Sequence, residues 1–171
     1  MLYRRQFALL APMLAAVGAS PASAQALSTA NLLGSWRLED AATVDQAGRT
    51  ADWGGRVRPY SGLIIYEASG LMSVQIASAR VPAPAKPAFK ELPPQRRLDY
   101  LDSYFAYFGA FDFDAANAIV RHHIQSSLDP TEIGITLRRK VSLEDGRLTL
   151  TAINNPDRPS PTFSRLTWRR V

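Results

Sequence analysis

Apolar and polar positions alternate along most of this chain with the period of two that marks a half-buried strand. In Gly34-Ser35-Trp36-Arg37-Leu38, Trp36 and Leu38 fall on one side and Ser35 and Arg37 on the other. Leu63 to Tyr66 and Leu71 to Ile76 flank Glu67-Ala68-Ser69-Gly70, with Met72, Val74 and Ile76 on one face. Gly70 offers the positive φ that a hairpin turn asks for. Further strands are predicted over Gly109 to Asp112, Ile119 to Leu128, Gly134 to Leu143, Arg147 to Ile153 and Arg165 to Arg170, with Glu144-Asp145-Gly146 as a second strong turn. Pro82, Pro84, Pro87, Pro93 and Pro94 crowd residues 81–94, remove backbone donors and exclude a central strand there. One segment breaks the alternation: Leu98, Leu101 and Phe105 recur at three- and four-residue spacing, which predicts a helix over about 95–108 acting as a lid or plug. About eight short strands with frequent turns and one helix point to an all-β barrel or sandwich.

The first 24 residues do not belong to that pattern. A basic start with Arg4 and Arg5, an apolar run from Phe7 to Val17 and small residues ending Ala22-Ser23-Ala24 have the three-part layout of a cleaved signal peptide. The apolar run is about half of the roughly 20 residues that span a bilayer, so no stable membrane anchor is expected. Arg4-Arg5-Gln6-Phe7 resembles a twin-arginine export signal, and the protein is expected to be periplasmic or secreted. Residues 25–171 then form a single domain.

Composition narrows the picture. The full chain has 171 residues, a formal charge of +5 and no cysteine. An exported domain without disulfides must be held by its core, and a chain of this size suffices for one. Without Arg4 and Arg5 the basic residues are eighteen against fifteen acidic ones, a mild excess that does not suit nucleic-acid binding.

Several blocks in fixed order carry a family resemblance. They are Gly34-Ser35-Trp36, Pro59, Gly62 to Tyr66, Ser69 to Gln75, Tyr104 to Gly109, His122-His123-Ile124 with Ser127 to Pro130, and Thr167-Trp168-Arg169-Arg170. Together they resemble the bacterial and fungal lipocalin-like domain family, over most of residues 32–171. The resemblance implies an up-and-down, calycin-type barrel with an internal cavity. It also implies that Arg169 or Arg170 packs over Trp36, whose G-x-W motif closes one end of the barrel. Solvated arginines on an edge strand are the alternative.

Candidate chemistry is sparse. His122 and His123 face opposite sides of one strand and cannot chelate a metal together, so no metal and no cofactor is expected. Val120, Ile124 and Leu128 share the parity of His122, which places His122 inward and His123 outward. His122 is either a core histidine satisfied by a tyrosine or carbonyl, or a hydrogen-bonding or acid/base group on the cavity wall. Tyr107, Tyr104, Tyr66 and Gln75 are the other candidates for ligand binding. Asp112 and Asp114 share a face but fit a strand end and its turn. No nucleophile elbow, phosphate loop or dinucleotide fingerprint is present.

These readings favour an exported barrel that binds a small hydrophobic or amphipathic molecule. A cofactor-independent isomerase, cyclase or hydrolase with His122 as acid/base is the alternative, and a filled barrel serving as a protein-interaction module is a third. Oligomeric state is not legible.

Overall fold

The computed structural model describes residues 27–78, 89–154 and 159–171. Segment 1–24, expected to be a cleaved signal peptide, and most of the proline-rich stretch 81–94 lie outside the described residues. Among the described residues a short helix α1 (Thr29–Leu32) precedes nine strands: β1 (Gly34–Asp45), β2 (Thr50–Asp52), β3 (Tyr60–Tyr66), β4 (Leu71–Ser78), β5 (Tyr104–Asp114), β6 (Ile119–Ser127), β7 (Thr136–Glu144), β8 (Arg147–Ala152) and β9 (Thr162–Arg170). A second helix, α2 (Pro94–Asp102), lies between β4 and β5. Every pairing is antiparallel, and β9 returns to β1 from Trp36↔Arg170 to Asp45↔Thr162. Eight strands therefore close into an up-and-down barrel, and three-residue β2 is an appendix on the second half of β1. Closure leaves no long edge strand to protect.

The alternation read from the sequence is the alternation of burial. Met72, Val74 and Ile76 point inward from β4, and Val120, His122 and Ile124 from β6. Each aliphatic side chain taken fully out of water contributes about 1.5–3 kcal/mol, so this continuous interior is what holds a chain without disulfides. The Glu144–Arg147 connection is the predicted two-residue turn, with positive φ at both Asp145 and Gly146.

One end of the barrel is sealed. Trp36 is 1% exposed and donates from Nε1 to the Leu32 carbonyl of α1 at 2.8 Å. The Arg170 guanidinium lies over its ring at 4.1 Å and donates to the carbonyls of Leu33 and Asn31. Gly34 is needed here twice over: its φ is +111°, and a Cβ would sit 3.0 Å from Arg170 Nη1. Arg169 faces outward and pairs with Glu39 at 3.2 Å, so of the two arginines it is Arg170 that covers the tryptophan.

The helix is shorter than the spacing predicts. It ends at Asp102, and Tyr104 to Phe108 belong to β5, where Tyr104↔Ala77 through Phe108↔Ser73 pair with β4. Aromatic residues favour a pleated, half-buried surface, and pairing with β4 wins over another helical turn. Helix α2 buries none of its side chains and stands at the end opposite α1, so it does not plug the barrel. Gly109 marks a second departure from regularity. The β5–β6 register shifts between Phe108↔Ser126 and Gly109↔Ile124, and the His123 carbonyl would lie 1.9 Å from any Cβ at 109. Only glycine admits that bulge without moving the backbone.

Candidate functional site

His122 projects from the middle of β6 into the interior and is 1% exposed. Its Nε2 lies 2.7 Å from the Tyr66 hydroxyl of β3 and its Nδ1 lies 2.8 Å from the Tyr107 hydroxyl of β5. Three strands thus bring one imidazole and two phenols together, with Phe111 packed on Tyr66 at a centroid distance of 4.8 Å. Burial, reinforced by the positive charge of Arg139, pushes His122 down to about 3. Burial likewise raises both phenols, Tyr107 to about 12. All three groups are neutral across the physiological range, and His122 is the neutral imidazole, not the imidazolium, near neutral pH.

Hydrogen-bond accounting fixes the tautomer. A neutral imidazole has one donor and one acceptor. If Nε2 accepts from Tyr66, then Nδ1–H donates to Tyr107, and the Tyr107 proton is left to turn elsewhere. The opposite tautomer strands the Tyr66 proton, because Tyr66 is 1% exposed and has no other hydrogen-bond partner among the described residues. Buried polar groups are satisfied wherever the structure allows, so the first arrangement holds. Its spare O–H donor sits on Tyr107, the tyrosine of the pair that borders open space.

That space is a cavity of about 190 Å³ inside the barrel. Ile64, Val74, Ile76, Leu150 and Leu166 give it an apolar wall. Tyr107 and His122 border it on one side, and Trp53 and Phe105, edge to face at 5.3 Å, on another. Arg56, its guanidinium 4.9 Å from the Trp53 ring, and Glu132 lie in loops beyond the strand ends opposite α1. Burial raises the Glu132 carboxyl above its ordinary value, against the opposing hydrogen bond from Ser127. Arg139 enters the cavity from the strand itself, on the inward parity of Leu137 and Val141. Trp168 completes the lining from β9.

Other positions singled out in the sequence fall elsewhere. Gln75 and Tyr104 face away from the barrel interior and hydrogen-bond each other at 3.1 Å on the outer surface, so neither borders the cavity. Gln75 follows the outward parity of its strand, and Tyr104 takes the same side through its pairing with Ala77. His123 faces outward between Asp112 Oδ2, at 2.6 Å, and Thr136 Oγ1, at 2.9 Å. Burial works to raise Asp112, but hydrogen bonds from His123 and Arg121 outweigh it and hold the carboxyl below its usual range. Asp114 accepts from Asn117 in the β5–β6 turn and forms no pair with Asp112. Among the described residues no cluster of three histidines or carboxylates is arranged to hold a metal. No helix of the described residues is long and apolar enough to cross a membrane.

Trp53, Arg56, Glu132, Arg139 and Trp168 were not anticipated as cavity residues. For Arg139 and Trp168 a signal exists in strand parity. Arg139 alternates with Leu137 and Val141, and Trp168 with Leu166.

Comparison with known proteins completes the description. The family model of the lipocalin-like domain matches residues 33–171. No curated protein matches the chain. Crystal structures of the fluorescent protein UnaG, wild type and a point mutant, are similar at 13% identity and a TM-score of 0.38. The likeness covers 84% of this chain, with 100% of the wild-type chain and 99% of the mutant.

Proposed function

This chain belongs to the lipocalin-like domain family, and on that premise we propose that it is an exported, periplasmic or secreted protein that binds a small, mostly apolar molecule inside its barrel. The cavity carries the reading: about 190 Å³ of space with aliphatic and aromatic walls and a hydrogen-bonding floor at Tyr107 and His122. Small-molecule sites have this character, apolar over most of their area with a few placed polar groups that fix orientation. Export rests on the three-part pattern of residues 1–24.

The polar end of the ligand meets Tyr107, whose hydroxyl is oriented by His122, which Tyr66 orients in turn. Catalysis by His122 as acid/base would need an imidazole that titrates near neutrality, and this one stays neutral down to about 3. Native mass spectrometry with organic extraction, on protein purified from the periplasm of its source, tests the binding reading. A stoichiometric small molecule is expected. A ligand-free protein that also ignores a broad set of fatty acids, isoprenoids and aromatic compounds would end it.

A further inference from the structure

We infer that the cavity is a receptor for a small organic anion, a monocarboxylate about the size of a benzoate, whose carboxylate is held by Arg139 with Tyr107 and Trp168 as supporting donors. This rests on the binding reading above and names its ligand class.

The sense of the unmet hydrogen bonds carries the inference. Among the described residues Arg139 is the one arginine that enters the barrel from a strand, and its only side-chain hydrogen bond there is a 3.3 Å contact to the carbonyl of its own neighbour Arg138. Among the described residues no carboxylate lies within 4.0 Å of it, although every other strand arginine that pairs does so with an acid on the outer surface. A guanidinium offers five donors and no acceptor. Trp168 is 1% exposed, borders the same cavity, and its indole Nε1–H has no partner among the described residues. The spare proton of Tyr107 is a third donor. Ser164, also on the wall, serves in either sense. Among the described residues Glu132 is the only acidic one of the lining, and it is set against two arginines, Arg56 and Arg139. A cavity rich in unmet donors and positively charged in balance takes a ligand that brings acceptors and a negative charge.

Volume limits the rest of the molecule. A protein cavity of roughly 150 Å³ accommodates benzene. At about 190 Å³, this one has room for a single ring with a carboxylate, or for a short aliphatic acid.

Isothermal titration calorimetry at pH 7 with benzoate, 3-phenylpropionate and octanoate, each against its primary amide, tests the inference on the unmodified protein. The acids are expected to bind roughly ten- to a hundred-fold more tightly than the amides, the worth of a charge-assisted contact. Arg139→Met is expected to erase that ratio, with circular dichroism confirming the barrel. One tryptophan indole proton, assigned by its loss in Trp168→Phe, should move downfield on adding acid. Equal binding of acid and amide, or a ratio that survives Arg139→Met, overturns the anion inference and leaves a neutral-ligand carrier standing. Binding of neither, with a neutral apolar molecule extracted from native protein, has the same meaning. Binding of neither with empty native protein removes the binding reading altogether.

Discussion

Replacing His122 by Leu should destabilise the barrel chiefly through the tyrosines it leaves behind. Leucine nearly fills the imidazole's space, so the cavity contribution is small, and the cost falls on two hydroxyls that lose partners at 2.7 and 2.8 Å. An orphaned buried polar group costs about 1–3 kcal/mol. Tyr66 bears that cost in full, being 1% exposed with no other partner among the described residues, whereas Tyr107 borders the cavity, which leaves it space to find another partner. The single variant should therefore lose about 2–4 kcal/mol. Adding Tyr66→Phe to His122→Leu removes the orphan and should restore about 1–2 kcal/mol, although Tyr66→Phe alone, which strands Nε2, is itself destabilising. Urea unfolding of the four proteins at pH 7, followed by tryptophan fluorescence, gives the cycle. Additive losses, with the double variant the least stable of the four, would refute the claim that Tyr66 and His122 satisfy each other in a site closed to water.

Two further predictions concern the ionisation of His122 and the sealed end of the barrel. Because His122 is held at about 3 in the folded state and titrates near 6.5 when unfolded, the unfolded chain binds the extra proton between those values. Its contribution to stability is complete above about pH 6.5 and is lost as pH falls toward 3, amounting to about 2–3 kcal/mol by pH 4.5; the urea midpoint should drop less over that range in His122→Leu than in the parent. At the sealed end, Arg170→Ala should cost about 1–2 kcal/mol by removing both the contact over Trp36 and the cap on the α1 carbonyls, Arg170→Lys should not rescue it, and Arg169→Ala should change stability by less than about 0.5 kcal/mol, all readable by thermal unfolding.

Strand character was legible wherever one face is buried, because burial imposes a period of two that the chain must spell out. Met72, Val74 and Ile76 show it, and so does the inward direction of His122 from its company with Val120 and Ile124. The same rule sends Gln75 outward, since it lies between Val74 and Ile76, so its place among the cavity candidates contradicts the alternation around it. Arg139 is the opposite case: its parity with Leu137 and Val141 points it inward, and only the expectation that arginine belongs in water conceals it. The helix boundary failed for a different reason. Leu98, Leu101 and Phe105 satisfy a helical spacing, but Phe105 is claimed by pairing with Ile76 on β4, a contact between distant residues that no local window contains. Trp53, Arg56 and Glu132 reach the cavity from loops outside the strands, where no period exists to orient a side chain.

Under the binding reading, the cavity divides selectivity between its strand-borne and its loop-borne residues. The Tyr107 oxygen is fixed because it accepts from His122, whose own position is tied to Tyr66 on a third strand, so the spare O–H can swing only about an anchored C–O bond. A ligand acceptor must come to the donor, and a molecule whose polar group is displaced by one bond leaves that hydroxyl, and the indole of Trp168, unmet in a largely apolar space. Among the loop-borne residues the restraints are softer. Trp53 stands in a short helical turn between β2 and β3, with Phe105, near the start of β5, as its edge-to-face partner. Arg56 ties this corner to α2 by donating to the Asp102 carbonyl. Loop and helix-end positions open at lower free energy than a paired strand. Chain length is therefore the property in which ligands can differ, and the placement of the polar group is the property in which they cannot.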